Sequence, residues 1–208
     1  IASVFAQLER EVITERVRDN LLELSKTGTW LGGDAPLGFS TEKIKKVDVC
    51  EVDGDTIVKR PKTATKLIVN EDEIDVLKLI FSKYLELKSL TQLERYLMNS
   101  NIKTRKGKYY SMFSLRWILT NPVYVKNTKN VVDYYKSKGV NIYAEDEDRK
   151  KFDGKYGFLA FNKTNNGKNM DMKDWIVAVG LHPGIISSDD WIAVQILLEK
   201  NSCKRYRA

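Results

Sequence analysis

The stretch Ser89–Pro122, SLTQLERYLMNSNIKTRKGKYYSMFSLRWILTNP, decides how this chain is read. Ser89 with Gln92 caps a helix whose Leu90, Leu93 and Leu97 recur on one face. Ser111 caps a second helix, Met112–Thr120, and Pro122 prevents it from extending far. A helix pair with a polar-tipped second member is the plan of a helix-turn-helix, in which that second helix enters the major groove. The connection Ser100–Tyr110 holds eleven residues where three or four are usual. Trp117, Ile118 and Leu119 are expected in the core. Of Tyr109 and Tyr110, one is expected to pack and the other to meet a phosphate.

Charge points the same way. The chain carries +7 overall, and the window Arg95–Val132 holds eight cations (Arg95, Lys103, Arg105, Lys106, Lys108, Arg116, Lys126 and Lys129) without an Asp or Glu. The window is therefore +8 and the rest of the chain nets −1, so the basicity is one patch. A patch of this kind suits double-stranded DNA. Lys103, Thr104, Arg105, Lys106, Lys108 and Tyr109 form the expected phosphate grip. Ser111, Ser114 and Arg116 lie on the reading helix, Arg116 being the best candidate for a base edge, and Lys126 and Lys129 extend the patch.

Outward from this centre, Val4, Leu8, Val12, Val17, Leu21 and Leu24 make one long amphipathic helix over 1–27, stopped by Gly28. Its stripe suits packing on its own domain, a dimer contact, or a crossing to another domain. Trp30…Phe39, with three glycines and Pro36, reads as a tight ordered turn. Val47–Val52 alternates, Asp53-Gly54 turns, and Thr56–Val58 completes a small hairpin. Asn70 caps Glu71–Leu87, with Glu73 at the capping-box position and Ile74, Leu77, Ile80, Phe81 and Tyr84 inward. Val131–Tyr135, Val140–Ala144, Tyr156–Asn162 and Trp175–Val179 read as strands. Lys163–Lys173 reads as a loop, and a last helix is capped by Ser187 with Asp190, carrying Trp191, Val194, Leu197 and Leu198 inward.

No residue set in the chain forms a catalytic constellation. His182, the only histidine, has no nucleophile motif near it and is expected in a turn with Pro183-Gly184. Cys50 and Cys203 are too few for a disulfide framework or a zinc site, so no metal and no cofactor is expected here, and reduced thiols suit the bacterial cytoplasm. The run Glu145–Asp148 before Arg149-Lys150-Lys151 is read as a solvated charge run, with a metal-dependent nuclease centre as the remote reading. The opening residues lack a basic leader and a cleavage site, and the chain is expected to continue upstream.

In order, Phe5-Ala6-Gln7-Leu8-Glu9-Arg10-Glu11, Trp30…Gly32-Gly33…Pro36-Leu37-Gly38-Phe39, Ile68–Glu73, Asn101–Gly107, Ile118–Tyr124 and His182–Ser187 with Trp191, Val194 and Gln195 resemble the large serine recombinases, the integrases of phages and conjugative transposons. Phe39 stands where the family pattern has Tyr. The resemblance implies a linking helix from a catalytic domain over 1–28, a recombinase DNA-binding domain over 29–130, and a β-rich region over 131–208 that leads into a zinc-ribbon domain. It also implies that the nucleophilic serine lies upstream and the zinc cysteines downstream, so this chain alone is inactive. Its partners would be attachment-site DNA and, in the parent protein, further copies in a dimer or tetramer. The expected fold class is α+β: the linking helix, a winged-helix-turn-helix-like domain with a small hairpin, and a β-rich part closed by a final helix. A non-enzymatic helix-turn-helix regulator of transcription is the alternative.

Overall fold

The computed structural model describes residues 2–45, 49–53, 56–60, 63–165 and 168–203. Helix α1 (Ala2–Lys26) comes first, then strands β1 (Phe39–Lys45), β2 (Val49–Asp53), β3 (Thr56–Arg60) and β4 (Thr63–Val69). Helices α2 (Glu71–Leu87), α3 (Leu90–Asn99), α4 (Met112–Thr120) and α5 (Lys129–Ser137) follow. The last third holds β5 (Asn141–Tyr143), β6 (Tyr156–Phe161), β7 (Thr164–Asn165), β8 (Lys168–Asn169), β9 (Ile176–Pro183) and α6 (Ser188–Cys203). The class is mixed α and β, as expected.

The helix caps fall where the side chains predict. Asn70 accepts from the Asp72 amide at 3.3 Å, and Ser89 accepts from that of Gln92 at 3.4 Å. Ser187 Oγ accepts from the Asp190 amide and donates to its carboxylate, so α6 begins one residue later. Each bond satisfies an amide that the helix itself leaves unpaired. Ile74, Leu77, Ile80, Phe81 and Tyr84 are all buried, the face their spacing predicts. Glu73 is the exception. Its carboxylate accepts from the Gly38 amide at 2.8 Å instead of returning to Asn70, whose own amide donates to Gly38 O.

Residues 131–135 are helical, not extended. Val131, Val132 and Tyr135 are buried while Asp133 is exposed. A strand would put Asp133 on the same face as the buried Val131 and Tyr135, with Val132 opposite. Burial at i, i+1 and i+4 is a helical face, and it outweighs the β propensity of two valines. That face packs on Trp191 of α6, with the Tyr135 and Trp191 rings 5.9 Å apart.

The hairpin of β2 and β3 is present, pairing Val49 with Arg60 through Asp53 with Thr56; Val47, Asp48 and Gly54 lie outside the described residues. It tips a longer ribbon in which β1 pairs β4 from Phe39↔Val69 to Lys45↔Thr63. Thr41, Glu42 and Lys43 are exposed, so this ribbon shows no apolar alternation in the sequence. The second sheet has the order β5–β9–β6, with β5 parallel and β6 antiparallel to the central strand. Val177, Ala178 and Val179 are all fully buried because β9 is covered on both faces. The stretch 163–173 contains the short pair β7–β8 and a 3₁₀ turn, Met172–Asp174.

One core runs from Phe39 to Leu198 and includes Leu119, Tyr124, Val131 and Val179. It continues across residue 130 without a gap. Helix α1 stands largely outside it. Leu8, Val12, Ile13, Val17, Leu21 and Leu24 are all exposed, and the helix packs into the body at its C-terminus, where Ser25 is buried.

Arg149, expected in a solvated run, is 2% exposed. Its Nη1 donates to Thr27 O at 2.8 Å and Val179 O at 2.9 Å, and the fork faces the carboxylates of Glu145 and Asp146. The acidic run thus neutralises a buried guanidinium that ties the end of α1 to β9. Gly28 sits at the junction with φ +73°, and a Cβ there would strike Val179 O.

His182 lies within β9 and is buried, not in a turn. Its Nε2 donates to Val123 O at 2.9 Å in the neutral tautomer, and Gly157 and Gly180 leave room for the ring, which a Cβ at either would strike. Burial pushes its pKa down to about 4. The folded chain therefore refuses a proton that the unfolded chain accepts below about pH 6.5. This contribution is fully present above pH 6.5 and is lost as pH falls toward 4. Between pH 7 and 5 it removes about 2 kcal/mol of stability. Urea midpoints at the two values should show this loss, and His182→Gln should abolish most of the difference.

Candidate nucleic-acid interface

The connection from α3 to α4 is a built turn. Lys103 pairs with Tyr109, Thr104 N donates to Lys108 O at 2.8 Å, and Gly107 N donates to Thr104 O at 2.8 Å. Gly107 supplies the φ of +70° that closes it. Thr104 is half-buried and its Oγ1 accepts from the Lys108 amide at 3.2 Å, so it shapes the turn. Lys103, Lys106 and Lys108 are exposed on this small hairpin. Tyr110 is buried, whereas Tyr109 is exposed and donates to Asn101 Oδ1 at 3.2 Å, with Lys103 Nζ 5.3 Å above its ring. Lys106 lies 3.6 Å from Asp34, both far too solvated for the pair to hold either.

Arg105 leaves the expected grip. Its Nε and Nη2 donate to the two oxygens of Glu73, Nη1 donates to Ala35 O at 2.9 Å, and Nη2 also reaches Pro36 O and Phe39 O. One guanidinium thus holds the Trp30–Phe39 turn against the first turn of α2. The pairing is reciprocal: Arg105 and the Gly38 amide hold the Glu73 carboxyl below the usual carboxylate range. The fork has too few free N–H groups left to grip a phosphate as well.

Ser111 and Ser114 form a reciprocal capping box. Ser111 Oγ accepts from the Ser114 amide at 3.3 Å, while Ser114 Oγ accepts from the Ser111 amide at 2.9 Å and donates to Ser111 O at 2.8 Å. Their hydroxyls serve the helix start and are not free donors toward a base. Leu115 and Leu119 anchor α4 in the core. Phe113, Arg116, Trp117 and Thr120 recur at i, i+3, i+4 and i+7 and share its outer face.

Trp117, expected in the core, is 50% exposed, and Phe113 is 76% exposed. Lys163 Nζ sits 4.3 Å from the centre of the Trp117 ring, and burial pushes its pKa down to about 8. Arg116 is exposed and has no ion-pair partner among the described residues. The outer face of α4 is a ridge between two grooves. One, of 790 Å³, is walled by Thr104, Lys106, Lys108 and Tyr109; the other, of 410 Å³, by Lys163, Thr164 and Trp175. Lys126 and Lys129 are exposed but line neither groove. The Lys126 amide instead donates to Ile186 O, and Lys129 opens α5.

The profile of the Recombinase family matches residues 71–201, more than half of the chain. The chain belongs to the Recombinase family. The fold of this recombinase chain is similar to that of a chain solved as an LSR–DNA complex, with a TM-score of 0.50 at 17% identity over 90% of this chain and 38% of that one. A chain solved for the sequence requirements of the Listeria innocua prophage attP site aligns with a TM-score of 0.48, at 17% identity over 89% of this chain and 52% of that one. The recombinase chain thus spans about two fifths to one half of the length of these solved chains. No curated protein matches it.

Among the described residues no group of three or more His, Cys, Asp or Glu could hold a metal ion. Asp148, in the acidic run Glu145–Asp148, accepts from Lys151, Lys155 and Tyr156. No helix among the described residues is long and apolar enough to cross a membrane. Phe113, Trp117 and Lys163 lie on this outer face without having been expected there from the sequence. The spacing of Phe113 and Trp117 around Arg116, opposite Leu115 and Leu119, is the signal that would have found the first two.

Proposed function

We propose that this chain is the DNA-binding part of a large serine recombinase (LSR) that recognises half of an attachment site. The observation that carries the reading is the α4 ridge: an exposed helical face with Arg116, which has no ion-pair partner among the described residues, standing beside a cation-bearing turn inside a window free of acids. The helix is about 10–12 Å across and fits the major groove, which is about 12 Å wide. Arg116 then reaches base edges, and Lys103, Lys106 and Lys108 lie over a phosphate strand.

By the same reading the parent enzyme cuts and rejoins DNA through a serine linkage held on another domain. Helix α1 links that domain to this one, copies associate as dimers or tetramers, and a zinc domain follows. Residues 29–208 are the addressing part and do no cutting. Lys126 and Lys129 serve as outlying phosphate contacts.

Electrostatic gripping sets a measurable slope. With Arg105 committed to Glu73, about four of these five lysines neutralise phosphates at a time, so log K should fall against log salt with a slope near −3.6. Between about 50 and 200 mM salt, affinity should drop about 150-fold. Binding measured on attachment-site and scrambled duplexes tests both parts of the reading. A flat salt dependence would refute the phosphate grip, and equal affinity for the two duplexes would refute sequence recognition.

A further inference from the structure

Phe113 poses a question that charge does not answer. It stands in the first turn of α4 with 76% of its surface in water, although Leu115, two residues on, is fully buried. Trp117 continues the same apolar stripe one turn later, and its ring is already capped by Lys163 Nζ at 4.3 Å. Two large rings held outward on a helix mark a surface that a partner covers. The neighbours say what kind of partner. Lys106 and Lys108 outnumber Asp34 in the groove on one side of Phe113, Arg116 and Lys163 line the groove on the other with Glu199, which pairs with Lys138, and Arg95–Val132 contains no acid. That is the setting for a polyanion.

The dimensions then restrict the contact. A helix about 10–12 Å across enters a major groove about 12 Å wide and is excluded from a minor groove about 6 Å wide. Inside the major groove the base edges present donors and acceptors, with one apolar group among them, the 5-methyl of thymine. An aromatic ring in the first turn of the entering helix, the part that approaches the bases, has that methyl as its only apolar counterpart.

We infer that Phe113 is a specificity-determining residue that reads a thymine by packing on its 5-methyl group, with Trp117 beside it. The inference rests on the placement of α4 in DNA given under Proposed function. It assigns the ring the apolar half of recognition, and Arg116 the hydrogen-bonding half.

The 208-residue chain can select its preferred duplexes from a random library. Each thymine of the enriched sequence is then replaced singly by deoxyuridine, which removes only the methyl. At one position the replacement should weaken binding about three- to tenfold. Phe113→Ala should lose a similar factor on thymine DNA and be indifferent to deoxyuridine at that position, with an unchanged melting temperature because the ring is exposed. An enriched sequence in which no deoxyuridine matters overturns the inference and leaves the α4 reading standing. So does a Phe113→Ala protein as sensitive to the replacement as the wild type. If no sequence is enriched at all, the sequence recognition proposed above fails and the inference falls with it.

Discussion

Arg105→Ala should destabilise the chain by about 2–3 kcal/mol and leave the salt dependence of DNA binding unchanged. The substitution removes two bonds to Glu73 and takes the guanidinium from the carbonyls of Ala35, Pro36 and Phe39, of which Pro36 O keeps the Phe39 amide. Glu73 has 16% of its side chain exposed and would keep only the Gly38 amide, whereas Arg105 is 40% exposed. Water can therefore replace part of what is lost, which holds the cost below that of a fully buried pair. Arg105→Lys should recover little, because a single ammonium cannot span both carboxylate oxygens and the carbonyls together. Urea denaturation measures the first effect and a salt titration of DNA affinity the second. Unchanged stability with a slope shallower by about one unit would return Arg105 to the phosphate grip.

Arg149→Met should cost more, about 3–5 kcal/mol. The side chain is 2% exposed, and its loss strands the Thr27 and Val179 carbonyls inside the fold. Glu145 and Asp146 are about half exposed and can turn to water, so the carbonyls and the emptied space carry most of the penalty. The same change should loosen α1, since the bond to Thr27 is where that helix is held to β9. Spin labels at Glu15 and Lys78, in a background with Cys50 and Cys203 replaced by Ser, should give a broader distance distribution in the variant. A distribution of unchanged width would show that α1 is oriented by its other contacts.

Local side-chain logic made much of this fold readable. Asn70, Ser89, Ser111 and Ser187 each have an oxygen that reaches an amide two or three residues ahead, so four helix starts follow from neighbours alone. The inward faces of α2 and α3 follow from spacing for the same reason. Where two local signals conflicted, as in Val131–Tyr135, β propensity misled and the exposed Asp133 held the better information. The β1–β4 ribbon was silent because neither face of its outer part is buried, and an element that buries nothing prints no pattern.

The acid-free window announced a basic, polyanion-binding surface, since charge composition is visible without coordinates. Which of its members face a ligand was decided by contacts across long sequence separations. Arg105 and Glu73 stand 32 residues apart, and nothing near either announces the other. Arg149 reaches Thr27 across 122 residues and becomes structural through that contact, although its neighbours in sequence are ordinary surface charges. Trp117 reads as core because large rings usually are; it and Phe113 are exposed because Leu115 and Leu119 already fill the inner face of a nine-residue helix. The sequence by itself determined the helices, their caps and the sign of the surface, all set within a few residues. Only the tertiary structure decided which cations are bound inside and which rings are left in water, because those depend on what distant segments bring alongside.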